Sequence, residues 1–241
     1  MRISLVIPMY NESKIIEETA KTVDAYMREK FDDYQVIFFD DGSLDNSAEL
    51  VESLCLPSVK VSGYGGNRGK GAAVRHAMLE ADGDVIMFTD ADLAYGTGVI
   101  GEIYDIFSKN PAADIVIGSR NLHKDGYEGY TFLRKFMSKT YIKVLCFIGH
   151  FKLSDSQCGC KAFSGKAAKD IFGRCEVDGF AFDFEAILWA ERLGYKIREM
   201  PVKIINHRES KVSVFKDTVK MLSDLLKIKK QVKKKAKAEN K

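Results

Sequence analysis

The chain has 241 residues, 46% of them apolar and 29% charged, which suits an ordinary soluble protein with the core of one large α/β domain. Its longest apolar runs are about half a dozen residues, which excludes a bilayer span of roughly 20. Met1-Arg2 leads straight into a strand rather than a leader pattern, so a cytoplasmic protein without a secretory leader is expected.

The net charge of +3 hides a mildly acidic body and a basic end, because residues 227–241 hold eight lysines and one glutamate. Such an end meets nucleic acid, an anionic membrane surface or water alone. Residues 229–241 are expected to form a disordered, solvated tail. The five cysteines (Cys55, Cys146, Cys158, Cys160 and Cys175) are irregularly spaced, and Cys158-x-Cys160 lacks the pairing of a zinc site, so reduced thiols are expected.

In chain order, Ile3–Ile7 is an apolar strand stopped by Pro8. Ile15, Ile16, Thr19, Ala20, Val23, Tyr26 and Met27 then recur at helical spacing, with Ser13 or Asn11 as the cap. Val36–Phe39 is a second strand, followed by Asp40-Asp41-Gly42-Ser43 and a short helix carrying Leu50, Val51 and Leu54. Val59–Ser62 is a third strand, and the glycine-rich loop 63–71 opens a helix of small residues through Ala81. The strand Val85–Phe88 runs into Asp90-Ala91-Asp92, and a helix with Val99, Ile100, Ile103 and Phe107 leads to a strand at Ile115–Ile117. Alternating strands and helices at this spacing predict a parallel sheet with helices on both faces. Further on, Phe132–Ile148 and Phe182–Leu193 read as helices, Lys196–Ile205 as a strand, and Val214–Ile228 as an amphipathic helix with a stripe of Val219, Leu222, Leu225 and Leu226. Phe132, Phe136, Tyr141, Phe147 and Phe151 are core by default, with an interfacial surface as the alternative.

The first strand–helix turn contains no glycine, and Gly69-Lys70 lacks the other residues of a Walker loop, so the common nucleotide fingerprints are absent. Asp40 and Asp41 are acceptor groups suited to a nucleobase or ribose. The loop Asn67–Gly71 offers backbone N–H groups with Lys70 and Arg75 at a helix start, a setting for an anion. Asp90 and Asp92, spaced i, i+2 at a strand end, converge on one point as hard oxygen donors. Taken alone, such a pair reads first as a helix cap with a solvated neighbour.

Pro8-x-Tyr10-Asn11-Glu12, Asp40-Asp41-Gly42-Ser43-x-Asp45, Asn67-x-Gly69-Lys70-Gly71-x-Ala73-x-Arg75 and Asp90-Ala91-Asp92 resemble the inverting family 2 glycosyltransferases of GT-A fold. Downstream, Gly118-Ser119-Arg120, Asp155-x-Gln157-Cys158-Gly159-x-Lys161, Phe182-Asp183-x-Glu185 and Glu209-Ser210-Lys211-Val212 resemble the polyprenyl-phosphate branch, the dolichyl-phosphate glucose and mannose synthases. The loop Asn67–Gly71 and the end Asp224-Leu225-Leu226-x-Ile228 look closer to the glucosyl members. Ala94 stands where mannosyl relatives often carry a metal-binding glutamine, and Cys160 replaces a usual phenylalanine.

The resemblance implies a single GT-A domain over 1–228, with a nucleotide-sugar half at 1–118, an acceptor half at 119–228 and a C-terminal amphipathic helix ahead of the basic tail. It implies that Pro8, Tyr10, Asn11, Glu12, Phe39, Asp40 and Asp41 contact the nucleoside, with Lys70, Gly71 and Arg75 beside the anion. Asp90, Ala91 and Asp92 would hold the diphosphate and Mg²⁺ or Mn²⁺. Arg120 and Arg134 would grip an acceptor phosphate, with Asp155, Gln157 and Lys161 alongside, and Lys211 would reach the diphosphate.

The expected reaction moves a hexose, glucose before mannose, from UDP-glucose or GDP-mannose to an undecaprenyl or dolichyl phosphate with inversion. Catalysis would rest on Asp92, Arg120, Arg134 and Asp155. The alternatives are transfer to a sugar hydroxyl, which needs a base from Asp155, Asp183 or Glu185, and a non-catalytic nucleotide-sugar binder. Peripheral contact with an anionic membrane at its cytoplasmic face is expected, with a separate anchoring partner and no nucleic acid.

Overall fold

A computed structural model of the chain describes the backbone of residues 1–206 and 216–239 and, within the last helix, the side chains from Asp224 onward. The elements run β1 (Ile3–Met9), α1 (Ile16–Lys30), β2 (Tyr34–Asp40), α2 (Ser47–Glu52), β3 (Val59–Gly63), α3 (Lys70–Glu80), β4 (Val85–Phe88) and α4 (Gly98–Lys109). They continue with β5 (Ile115–Ser119), α5 (Phe132–Gly149), β6 (Lys161–Ser164), α6 (Gly165–Phe172), α7 (Phe182–Leu193), β7 (Ile197–Pro201) and α8 (Lys216–Glu239). The described strands form one sheet in the order β3-β2-β1-β4-β6-β5-β7. The expected fold class holds: the sheet is mostly parallel and carries helices on both faces.

The unbroken apolar runs have a direct cause. Successive side chains in a strand point to opposite faces. In β1, Ile3, Leu5 and Ile7 pack with α1 and α4, while Val6 joins the opposite core beneath α3, α6 and α7. Both faces are covered, so neither needs polar residues.

One strand departs from the parallel pattern. β6 lies antiparallel between β4 and β5, with Phe88 opposite Lys161 and Ile117 opposite the same lysine. Neither β6 nor α6 is legible in the sequence, because Lys161-Ala162-Phe163-Ser164 is short and starts with a charge. That lysine is only 1% exposed. The insertion has a functional consequence. A strand running backwards delivers its preceding loop, residues 154–160, to the edge where β4 and β5 end.

Two expectations about the outer elements are corrected. The basic end is helical as far as Glu239, since α8 continues past Ile228. Leu225, Ile228 and Val232 are all 3% exposed or less, and Ala236 packs against the same core. An apolar residue on each turn is enough to hold a helix whose other faces are lysine. Lys235 pairs with Glu176 at 2.5 Å and Arg174 with Glu239 at 3.0 Å. Leu226, expected in the stripe, is 64% exposed, whereas Val219 and Leu222 lie outside the described side chains. On α5, Ile142 and Leu145 face inward, but Phe132 and Phe147 are 86% and 80% exposed and Phe136 is also out. Phe151, by contrast, is buried as expected.

Candidate functional site

The carboxyl ends of the parallel strands meet at a cleft of about 800 Å³, the place where open α/β sheets take ligands. Its first half is built by the loops after β1, β2, β3 and β4. Pro8, Tyr10, Glu12, Asp41, Lys70, Asp90, Ala91 and Asp92 all line it, as the sequence led one to expect. Asn67 and Gly69 join them.

Several residues expected there work behind the wall instead. Asn11, in a left-handed conformation (φ 52°), accepts from Leu44 N at 2.8 Å and donates its own N–H to Ser43 Oγ, tying the first loop to the second. Asp40 accepts from the Ser43 N–H and hydroxyl and so closes its own turn. Phe39 is buried edge-on against Tyr64, with ring centres 5.3 Å apart, and does not reach the cleft.

The loop Asn67–Gly71 does bind an anion, but the anion belongs to the protein. The Asp41 carboxylate, 3% exposed, accepts from Tyr64 Oη, Asn67 Nδ2, Arg68 N and Gly69 N at 2.6–3.0 Å. The next N–H groups, of Gly71 and Ala72, donate to Asp178 O at 2.8 and 3.2 Å. Arg75 completes this lock with a 2.6 Å ion pair to the Asp178 carboxylate. Gly71 has no room for a side chain, since a Cβ there would lie 2.4 Å from Val177 O. Gly71 and Arg75 are therefore corrected from ligand contacts to parts of the α3 anchor.

The carboxylate pair sits where β4 ends. Leu93 adopts φ 46° to turn the chain, its N–H bonded to Asp90 O at 3.0 Å, and Asp92 Oδ1 accepts from Ala94 N at 3.1 Å. The Lys70 ammonium is ion-paired with Asp90 Oδ1. Burial works to lower the Lys70 pKa, but the Asp90 charge and hydrogen bond outweigh it and hold it above the ordinary lysine value. Behind this pair, Lys161 donates to Asp183 Oδ1 at 2.5 Å and to Cys158 O at 2.7 Å. Burial raises the Asp183 pKa, and Lys161 and Lys70 offset part of the rise. Lys161 is thus a buried counter-ion, not a substrate ligand.

The second half of the cleft is built by residues 120–206. Arg120, Arg134 and Gln157 line it as expected, joined by Tyr130, Phe180, Ile204 and Asn206 and, from the turn after β4, by Tyr95. These last five carry no spacing motif, and only the tertiary arrangement brings them to the wall. Arg120 forms a two-pronged pair with Asp155, Nε to Oδ2 at 2.7 Å and Nη2 to Oδ1 at 2.9 Å. Its guanidinium also lies over the Tyr127 ring. The Arg134 guanidinium stacks on Tyr130, 4.0 Å from the ring centre.

Asp155 itself is wholly buried and does not line the cleft, so its expected catalytic role is corrected: it positions Arg120. Glu185 is likewise engaged, accepting from Glu176 N and Val177 N at 2.8 Å. Lys211 lies outside the described residues, as does His207.

What this arrangement can do follows from its charges. Among the described residues, the carboxylates lining the cleft are Glu12, Asp41, Asp90 and Asp92, all from the first half, while the second half presents two arginines. Asp90 and Asp92 fit a hard divalent cation. Both are oxygen donors lining one cleft, and the backbone of Gly159 packs directly against the Asp90 carboxylate, since a Cβ there would come within 2.1 Å of Oδ2. Among the described residues no group of three or more His, Cys, Asp or Glu gathers, so two protein ligands would share such an ion with water and phosphate. The five cysteines are free thiols, and no described helix is long and apolar enough to cross a membrane.

Known proteins show the family. A family model described as Glycosyl transferase family 2 matches residues 4–172. A dolichyl-phosphate beta-glucosyltransferase of Trichomonas vaginalis is 32% identical, over 93% of this chain and 70% of that protein. The dolichyl-phosphate beta-glucosyltransferase of Saccharomyces cerevisiae is 28% identical, over 93% of this chain and 73% of its own. Among solved structures, glucosyl-3-phosphoglycerate synthase of Mycobacterium tuberculosis, crystallised with Mn²⁺, UDP and phosphoglyceric acid, superposes with a TM-score of 0.70. It is 16% identical, over 96% of this chain and 78% of that one, and supports the fold. The chain is a glycosyltransferase and belongs to glycosyl transferase family 2.

Proposed function

We propose that the protein transfers glucose from a nucleotide diphosphate sugar to a polyprenyl phosphate, with inversion at the anomeric carbon. The observation that carries this reading is the asymmetry of the cleft lining: on one side Arg120 and Arg134 with no lining carboxylate, Asp155 being buried behind Arg120, and on the other carboxylates with Lys70. A sugar hydroxyl would need a base to take its proton. The three candidates, Asp155, Asp183 and Glu185, do not line the cleft, and each is committed to a partner: Arg120, Lys161, and the Glu176 and Val177 N–H groups. A phosphate monoester needs no base, because its second pKa is near 6 and its oxygen is already an anion at neutral pH. It needs fixed positive charge, and Arg120 and Arg134 supply planar, permanently charged donors.

On the donor side, Asp90 and Asp92 would hold Mg²⁺ or Mn²⁺, which when bound neutralises charge developing on the leaving diphosphate. Tyr10 and Glu12 line the half where the nucleoside would lie, and Gln157, lining the other half, would face the sugar. Attack from the arginine side, opposite the leaving group, inverts the anomeric centre. The relatives named dolichyl-phosphate beta-glucosyltransferases support glucose as the sugar and a polyprenyl chain on the acceptor.

The acceptor's lipid tail gives the outer face of α5 a use. Phe132, Phe136 and Phe147 fall within about 60° of one another at 3.6 residues per turn, and all three are exposed on the helix that also carries Arg134. With Lys135 and Lys139 on the same helix, this face suits contact with an anionic bilayer surface.

The direct test supplies radiolabelled UDP-glucose, polyprenyl phosphate and Mn²⁺, and follows label into the organic phase. Arg120→Ala and Arg134→Ala should bind UDP-glucose normally and lose transfer. Label appearing only on a soluble saccharide would defeat the reading.

A further inference from the structure

Asp90 faces the cleft with one oxygen already taken. Its Oδ1 is ion-paired with the Lys70 ammonium, and its Oδ2 lies against Gly159, where an added methyl group would come within 2.1 Å. The carboxylate is therefore confined between the two, and a cation gains Oδ1 only by displacing Lys70 Nζ.

The Lys70 backbone cannot follow such a displacement. Gly69 just before it has φ 111°, and a Cβ there would lie 2.5 Å from Asp178 O. The N–H groups of Gly69 and Gly71, on either side, are bonded to Asp41 and Asp178. What moves is the side chain alone, which lines the cleft. Inside the protein, Asp183 and Asp92 are the other carboxylates whose charge acts on Lys70; Asp183 already holds Lys161 at 2.5 Å, and Asp92 would itself be a ligand of the cation. The anion able to accept the displaced ammonium is a phosphate arriving in the cleft, since an ammonium is a compact point charge suited to phosphate.

We infer that Lys70 is a resident counter-ion that closes the cation site until a nucleoside diphosphate draws it away, so that cation and donor enter the cleft together. The inference rests on the reading of Asp90 and Asp92 as cation ligands. It makes the cation site depend on the donor: without a diphosphate the cation competes with an intramolecular ammonium, and with one that competitor becomes a ligand of the donor.

Isothermal titration of Mn²⁺ into the wild type and into Lys70→Gln, each with and without UDP, tests this. Lys70→Gln should bind Mn²⁺ alone about fivefold more tightly than the wild type, the size of effect given by losing one part-exposed ion pair as competitor. UDP should raise the Mn²⁺ affinity of the wild type far more than that of Lys70→Gln. Lys70→Arg, which keeps the charge, should behave as the wild type. A damaged site would lose affinity, so the predicted gain is not what misfolding produces. Equal or weaker Mn²⁺ binding in Lys70→Gln overturns the counter-ion role and leaves the cation ligands standing. No Mn²⁺ binding by either protein, with UDP or without, overturns both.

Discussion

Asp155 and Arg120 illustrate how a residue's chemistry is set by what it touches. Asp155 has no exposed surface, and its two oxygens hold the two prongs of Arg120. Glu199 fixes the loop in turn, accepting from Ser154 N at 2.8 Å and Asp155 N at 3.0 Å. Removing one partner of a buried ion pair strands the other charge, at a cost of about 3–5 kcal/mol. Asp155→Asn should therefore lower the stability measured by urea unfolding by that amount. It should weaken acceptor binding more than donor binding, read as a rise in acceptor KM with donor KM little changed. Asp92→Asn should do the opposite. Asp92 is half-buried at the cleft, so transfer should be abolished while unfolding shifts by less than about 0.5 kcal/mol.

At the scale of elements, helix starts and the last helix hold the surprises. Neither Ser13 nor Asn11 caps α1 with its side chain, since the cap position is Ile15. Asp45 serves instead, accepting from Ser13 N and Ser47 N at 3.1 Å and so joining the approach to α1 with α2. Burial acts to raise the Asp45 pKa, but the hydrogen bonds from Ser47 and Ser13 outweigh it and lower it to about 2. The folded value lies below the unfolded one of about 3.9. The stability this link lends is thus complete above pH about 4 and disappears as pH falls towards about 2. The stability gap between wild type and Asp45→Ala, measured by denaturant titration, should be open at pH 6 and close on acidification through that window. For α8, deletion of residues 229–241 removes the buried Val232 and the pairs at Lys235 and Glu239. A loss of at least about 2 kcal/mol is expected from the buried side chain alone. A tail that was merely solvated would cost nothing.

At the scale of the whole molecule, an antiparallel strand in a parallel sheet assembles the cleft. β6 turns the loop 154–160 back onto the ends of β4 and β5, which sets Gly159 against Asp90 and Asp155 against Arg120. The outer surface then has a direction, with the exposed phenylalanines grouped on one face of α5, the helix that also carries Arg134. Replacing Phe132, Phe136 and Phe147 together by Ser should abolish co-flotation with anionic vesicles. UDP-glucose binding should stay intact, and rising salt should weaken the wild-type association because surface charge is screened within about 10 Å at 0.1 M.

Much of this was legible in the chain itself. Apolar runs of β-formers announce doubly covered strands, and acidic, glycine-bearing loops at their ends announce a nucleotide-sugar cleft. Pro8, Tyr10, Glu12, Asp90, Asp92, Arg120 and Arg134 reach it as their motifs imply. Those signals are local, carried by residues a few positions apart. Three things were not local. β6 is too short and too charged to stand out, so its direction depends on its neighbours. The partners of Asp41, Asp155 and Lys161 lie 22–35 residues away in sequence, and only folding decides that these charges face inward to one another. The basic end reads as solvated by composition, yet one apolar residue per turn finds a groove that tertiary packing alone provides. Sequence determined which chemistry was present, and the tertiary structure decided which charges remain available to a ligand, because a buried charge must be paired before it can be tolerated.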